Sequence, residues 1–201
     1  LIIPIIIFGF IKNGNQFIKN KMKSISVNDE NAINLASDVI LGGGVIVYPT
    51  DTLYGLGVDA RNKSAINKLN GIKRREAPIS VITWSIETLY SWSTVNHNKL
   101  EKAKKVLKEA NTIIVPIKNT IVHNSILAED GSLGIRMPHH HFPINLCKNL
   151  GFPVTTTSVN RSGENSLNDP ELISDEFSKD IDLLIDAGKI PESKGSSIYK
   201  L

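Results

Sequence analysis

The sequence predicts a layered α/β sandwich built on a substantially mixed sheet. Short β-prone runs at residues 45–48, 79–84, 112–117, 132–136, 153–158 and 181–185 interleave with segments whose apolar residues recur every three or four positions. The 201 residues are 41% hydrophobic and 21% charged, enough for one domain with a substantial core or two small ones, and unlike a disordered chain. No internal repeat or low-complexity tract interrupts the alternation.

The first 21 residues stand apart. Residues 1–10 are nearly all apolar but too few to span a bilayer. Lys12, Lys19 and Lys21 follow the apolar run, the reverse of a secretory signal, so residues 1–21 are expected to be an extension upstream of a natural start at Met22. They hold three of the 23 basic residues and no acid, which leaves 20 cations against 20 acids in the body. Attraction of the body for anions therefore has to come from a local cluster. The single cysteine, Cys147, excludes an intrachain disulfide framework and a cysteine-based zinc cluster, and fits a cytoplasmic setting.

Ser26 or Asn28 is expected to cap a first helix that runs to about Leu41, where Gly42-Gly43-Gly44 stops it. The strand at residues 45–48 ends at Pro49, which has no N–H to give, and delivers Thr50-Asp51-Thr52 to its end. Gly55 and Gly57 then allow a turn or the close approach of a ligand. This stretch reads either as a polar turn at a strand end or as part of a site. A short helix from Ser64 runs into Lys73-Arg74-Arg75, the densest cationic cluster of the body. Cations there complement the helix dipole, or they clamp a polyphosphate.

Helices are expected over residues 86–92 and 97–110, the second amphipathic with its lysines solvated, and residues 118–131 read as an irregular loop. Arg136 lies in an apolar strand and needs an anion, either an internal carboxylate or a carboxylate or phosphate ligand. His139, His140 and His141 are consecutive and point in different directions, so no metal role is assigned. Residues 143–150 read as a helix stopped by Gly151, with Cys147 packed inside it. Val154 to Thr157 read as a strand that opens into Ser158-Val159-Asn160-Arg161-Ser162-Gly163. Asp169 and Pro170 start a helix as N-cap and first residue. Ser196-Ser197-Ile198 closes the body. The P-loop pattern and the Ser-His-Asp signature are both missing. Hydroxyls and cations at several strand ends point instead to an anionic substrate and to group transfer by positioning.

In order and spacing, Tyr48-Pro49-Thr50-Asp51-Thr52-Leu53-Tyr54-Gly55-Leu56-Gly57, Lys73-x-Arg75, Ile135-Arg136-Met137-Pro138, Thr157-Ser158-Val159-Asn160-Arg161-Ser162-Gly163 and the final Ser196-Ser197-Ile198 resemble the YrdC family of threonylcarbamoyl-AMP synthases, in its short form. The resemblance implies a single YrdC-like domain over residues 22–201, with a twisted mixed sheet flanked by helices and a deep basic cavity. It implies synthesis of threonylcarbamoyl-AMP from L-threonine, bicarbonate and ATP with Mg²⁺, releasing pyrophosphate, for t6A modification at position 37 of tRNA. A downstream threonylcarbamoyl-transferase complex would take the product.

By position, Lys73 and Arg75 would be catalytic and hold ATP together with Ser132, Ser158, Asn160 and Ser166. Thr52, Arg136, Thr156 and Ser196 would surround threonine. The link from Arg75 through Ala77 to Pro78 is about two residues shorter than is usual in that family, and Glu109-Ala110-Asn111 stands where the family commonly has Pro-Gly-Pro. The competing readings are a double-stranded RNA or tRNA-binding module without adenylation, and a carbamoyl-adenylate domain like that of hydrogenase-maturation proteins. The second usually comes with zinc-finger and acylphosphatase segments, for which this chain has neither the cysteines nor the length.

Overall fold

The structure is a computed structural model that describes residues 12–13, 16–17, 22–76, 78–109, 111–118 and 121–201. Ala77 and Ala110, which the sequence reading singled out, and most of residues 1–21 lie outside the described residues. Near the start, β1 (Lys12–Asn13) pairs antiparallel with β2 (Gln16–Phe17). The body then runs β3 (Lys23–Ser26), α1 (Ala32–Leu41), β4 (Ile46–Pro49), β5 (Tyr54–Gly57), α2 (Lys63–Lys73), β6 (Ser80–Ile82), α3 (Ile86–Trp92), α4 (His97–Leu107) and β7 (Thr112–Pro116). A 3-10 turn (Asn124–Ile126), β8 (Ser132–Arg136), α5 (His141–Leu150), β9 (Thr155–Ser158), α6 (Pro170–Phe177), β10 (Leu183–Asp186) and β11 (Ile198–Lys200) complete it.

Among the described residues nine strands form one sheet in the order β11-β7-β8-β6-β9-β5-β4-β10-β3. The pairs β4–β5, β5–β9, β9–β6 and β7–β8 are antiparallel, and β3–β10, β10–β4, β6–β8 and β7–β11 are parallel. The sheet is mixed, as the interleaved pattern predicts. No described helix is long and apolar enough to cross a membrane.

Side-chain alternation along the strands divides the core into two layers. Val47, Leu56, Val81, Ile113 and Ile135 pack with Ile66 and Leu69 of α2, Leu89 of α3, Leu100 of α4 and Phe177 of α6. On the opposite face, Ile46, Tyr48, Ile82, Leu183 and Ile185 pack with Ala36 of α1 and with Phe142 and Cys147 of α5. Their sheet contacts lie in β4, β6 and β10 and in Val154 at the start of β9, so the same face of β7, β8 and part of β6 and β9 is left open. The register puts small and polar residues there: Thr112 opposite Arg136, and Ser80 opposite Thr156. Gly134 sits beside Ser80 on the neighbouring strand, where a Cβ would collide with the Ser80 hydroxyl.

Several expectations shift. β3 is an unforeseen edge strand; Ile25 is the only apolar residue of Lys23-Ser24-Ile25-Ser26, and parallel pairing to β10 defines it. Ser26 therefore belongs to a strand, and α1 starts later, with Asn31 as an N-cap whose side chain makes no capping bond. Residues 121–131, the longer described part of the expected irregular loop, pack against the body: Val122 and Ile126 are buried, and Ile79 N–H donates to the Ile126 carbonyl. His140 has a structural task, since its Nδ1 accepts the Phe142 N–H at the start of α5.

The glycines of β5 serve the core. The Tyr48 ring lies across Gly55 and Gly57, and a Cβ at Gly57 would stand 2.6 Å from Tyr48 Cε1 and 2.9 Å from Val154 Cγ1. Tyr48 is fully buried and its hydroxyl donates to the Thr155 carbonyl at 2.9 Å, so the ring has nowhere to retreat. Gly57→Ala is expected to cost about 1–3 kcal/mol by overpacking, read as a lower denaturant midpoint with an unchanged m-value.

Candidate active site

The open part of the sheet forms the floor of a cavity of about 310 Å³. Gly55, Ser80, Thr112, Arg136, Thr156 and Ser158 come from five adjacent strands, Arg75 and Pro78 from the link after α2, and Lys194 to Ser196 from the segment before β11. The lining holds three cations, Arg75, Arg136 and Lys194, and among the described lining residues no carboxylate.

One wall is built by the turn between β4 and β5. Thr50 organises it: its hydroxyl donates to the Leu53 carbonyl at 2.6 Å and accepts the N–H groups of Thr52 and Leu53. The turn thereby presents Asp51 and Thr52 to Arg136, whose Nη2 donates to Asp51 Oδ1 at 2.6 Å and to Thr52 Oγ1 at 2.8 Å. Arg136 is thus paired internally, as one reading of it from sequence expects, and it also lines the cavity. The pairing is incomplete: Arg136 Nε and Asp51 Oδ2 are buried without a hydrogen-bond partner. Unmet polar groups in a dry setting make this pair sensitive to any anion that enters.

Behind Ser158 lies a latch at the end of α2. Lys73 is buried, and its Nζ donates to the Ser158 carbonyl at 2.7 Å and to Asn160 Oδ1 at 2.5 Å. The Ser158 hydroxyl donates to the same Asn160 oxygen at 2.7 Å, and Asn160 Nδ2 donates to the Glu164 carbonyl at 2.6 Å. Burial, and then the charge of Arg75, lower the Lys73 amine to about 8. The chain leaves α2 through Arg74 in the left-handed region at φ 54°. Arg74 N–H donates to the Gly71 carbonyl and Arg75 N–H to the Asn70 carbonyl, a Schellman closure that turns Arg75 toward the cavity.

The segment after β10 brings Lys194, Gly195 and Ser196 to the cavity. It is pinned at one end by Tyr54, whose hydroxyl donates to the Gly188 carbonyl at 2.8 Å and accepts the Ala187 N–H at 2.9 Å. Burial raises the Tyr54 phenol to about 12, so it stays protonated as a donor. At the other end the Ser196 and Thr112 hydroxyls are 2.8 Å apart.

The residues singled out from sequence fall into three groups. Arg75, Arg136, Thr156, Ser158, Ser166 and Ser196 line the cavity. Lys73, Asn160 and Thr52 stand directly behind lining residues and bond to them or to their neighbours. Ser132 does not line it. It is buried four residues before Arg136 on β8, and its hydroxyl donates to Asp130 Oδ1 at 2.5 Å, while Asp130 also pairs with Lys200 at 2.7 Å. Ser80, Thr112 and Lys194 were not foreseen. Lys194 had a signal in its place two residues before Ser196, whereas Ser80 and Thr112 are placed by register alone.

A family model described as telomere recombination, covering Sua5, YciO and YrdC proteins, matches residues 38–201. The chain belongs to this family. A putative threonylcarbamoyl-AMP synthase of Methanocaldococcus jannaschii is 35% identical over 191 residues, 92% of this chain and 89% of that relative. E. coli YciO superposes with a TM-score of 0.79 at 26% identity, covering 89% of this chain and 87% of that one. P. abyssi Sua5 complexed with L-threonine superposes with a TM-score of 0.76 at 26% identity over 84% of this chain. This chain spans only 50% of that Sua5 chain, so the Sua5/YciO/YrdC domain is the part the two share.

Proposed function

We propose that the protein is an L-threonylcarbamoyladenylate synthase, joining L-threonine, bicarbonate and the adenylyl group of ATP with release of pyrophosphate. The observation that carries this reading is the cavity itself: a buried, incompletely paired arginine lines it together with a second arginine, Arg75, and with Ser158, which Lys73 and Asn160 hold from behind. Support comes from the M. jannaschii relative, named a putative threonylcarbamoyl-AMP synthase, and from the Sua5 structure that holds L-threonine.

In this reading Arg136 takes the threonine carboxylate, with Thr52, Thr156 and Ser196 around the amino acid. Condensation of the threonine amine with bicarbonate forms a carbamate and releases water. A carbamate oxygen then bonds to the α-phosphorus of ATP as the bond to the β-phosphate oxygen breaks. Lys73 and Arg75 stabilise the charge that grows on the phosphates, and Ser158, Asn160 and Ser166 hold the nucleotide. Ser132 would act only through a longer reach of the nucleotide along β8. The described lining residues offer hydroxyls and cations; Mg²⁺ would be carried on the triphosphate and would neutralise phosphate charge there. The product would serve t6A modification at position 37 of tRNA through a downstream threonylcarbamoyl-transferase complex.

The test is a turnover assay with ATP, bicarbonate and L-threonine. Pyrophosphate and threonylcarbamoyl-AMP are expected together, and both vanish when threonine is omitted. Turnover driven by carbamoyl phosphate, or RNA binding with no adenylate formed, would overturn the assignment.

A further inference from the structure

Arg161 follows Asn160 in the polar loop after β9, and the mechanism above gives it no task. Its guanidinium is buried to 14% side-chain exposure and ties three elements together. Nη1 donates to the Ile72 carbonyl in the last turn of α2 at 2.8 Å, Nη2 pairs with Asp180 Oδ2 at 2.6 Å, and Nε lies 3.8 Å from Glu176 Oε1 of α6. The guanidinium carbon also sits 4.5 Å from the centre of the Phe177 ring. The next residue makes a second tie: Ser162 N–H donates to the Lys73 carbonyl at 3.0 Å.

We propose that Arg161 is a positioning residue that fixes the last turn of α2 against the loop after β9, so that Lys73 meets the Ser158 carbonyl and the Asn160 amide. The carbonyls of Ile72 and Lys73 are among those a helix end leaves without internal partners. Satisfying both from one two-residue stretch sets the position of α2 relative to Asn160. Lysine in place of Arg161 keeps the charge but has no planar fork, so it can serve the Ile72 carbonyl or Asp180, not both in the present geometry. The consequence for ATP rests on the nucleotide reading above; the placement of Lys73 does not.

The test compares Arg161→Lys and Arg161→Met with the wild type by competitive amine labelling of Lys73 against pH, and by ATP and threonine binding. In both variants the Lys73 titration is expected to rise from about 8 toward that of an ordinary lysine. Because Arg161→Lys keeps the charge, a shift there reports position rather than field. ATP affinity is expected to fall about tenfold, threonine affinity to stay within twofold, and Arg161→Lys to add little to the loss already caused by Lys73→Ala. An unchanged Lys73 titration in folded Arg161→Lys, or ATP losses that simply add, would overturn the proposal. Should Arg161→Met not fold, Arg161→Lys decides alone. A wild-type protein that binds no ATP would instead overturn the nucleotide reading, with the labelling result still deciding the role of Arg161.

Discussion

Lys73→Ala is expected to lower kcat/KM for ATP by on the order of 10²–10³, the usual cost of removing one preorganised group that meets growing charge. The fold should tolerate the change. The Ser158 hydroxyl still donates to Asn160 Oδ1, and Asn160 still reaches the Glu164 carbonyl, so the loop keeps its shape when the ammonium goes. The wild type should also show a pH signature. Its free amine titrates near 8, and a bound triphosphate raises that value. Above pH 8, binding therefore takes up a proton, and ATP affinity falls as pH rises, by up to about tenfold per pH unit. Stability runs the other way. The folded value lies below the unfolded one, so between about 8 and the ordinary lysine range the unfolded chain holds more protons. This group's contribution to stability thus rises with pH across that window. Lys73→Ala should flatten both slopes. Nucleotide titrations and denaturant midpoints from pH 7 to 10 measure them, and an ATP affinity that ignores pH would remove Lys73 from the phosphate site.

What could be read from the chain follows from how local each signal is. Thr50 to Thr52, Arg136 and Ser158 to Asn160 each sit where a short β-prone run meets a polar turn, and a strand end is visible in sequence. That these ends share one cavity depends on pairings across long separations: Gly55 with Ser158, Ser80 with Thr156, Thr112 with Arg136. No local pattern encodes such pairings, so Ser80 and Thr112 escaped notice while their partners did not. Gly57 shows the opposite error. Its freedom suggests a turn or the close approach of a ligand, yet the neighbour that needs the space is Tyr48, two strand positions from Gly57's own partner Ile46 in a hairpin that only the fold closes. The family resemblance places Ser132 with the nucleotide residues by position, outside the quoted motifs, and its hydroxyl is engaged by Asp130. β3 was missed because one apolar residue in four is too faint a pattern for an edge strand.

Arg136→Met should separate binding from folding, because Arg136 does two jobs. Its Nη2 neutralises Asp51, whose side chain is only 12% exposed. Removing the arginine leaves that carboxylate buried and unpaired, at a cost of about 3–5 kcal/mol. The same change removes the cation placed for the threonine carboxylate, and affinity for threonine is expected to fall on the order of 10²-fold, the worth of a charged hydrogen-bonded pair. A loss of activity alone would not distinguish the two effects. Asp51→Asn combined with Arg136→Met does, since a neutral amide no longer needs a cation and Thr52 is still held by the turn around Thr50. The double variant is expected to recover most of the lost stability and none of the threonine affinity. ATP affinity should stay within a few-fold in both variants, because Lys73 is held by Ser158 and Asn160 rather than by Asp51 or Arg136. If the double variant bound threonine as the wild type does, Arg136 would be a structural partner of Asp51 and nothing more, and the amino acid would have to be placed elsewhere in the cavity.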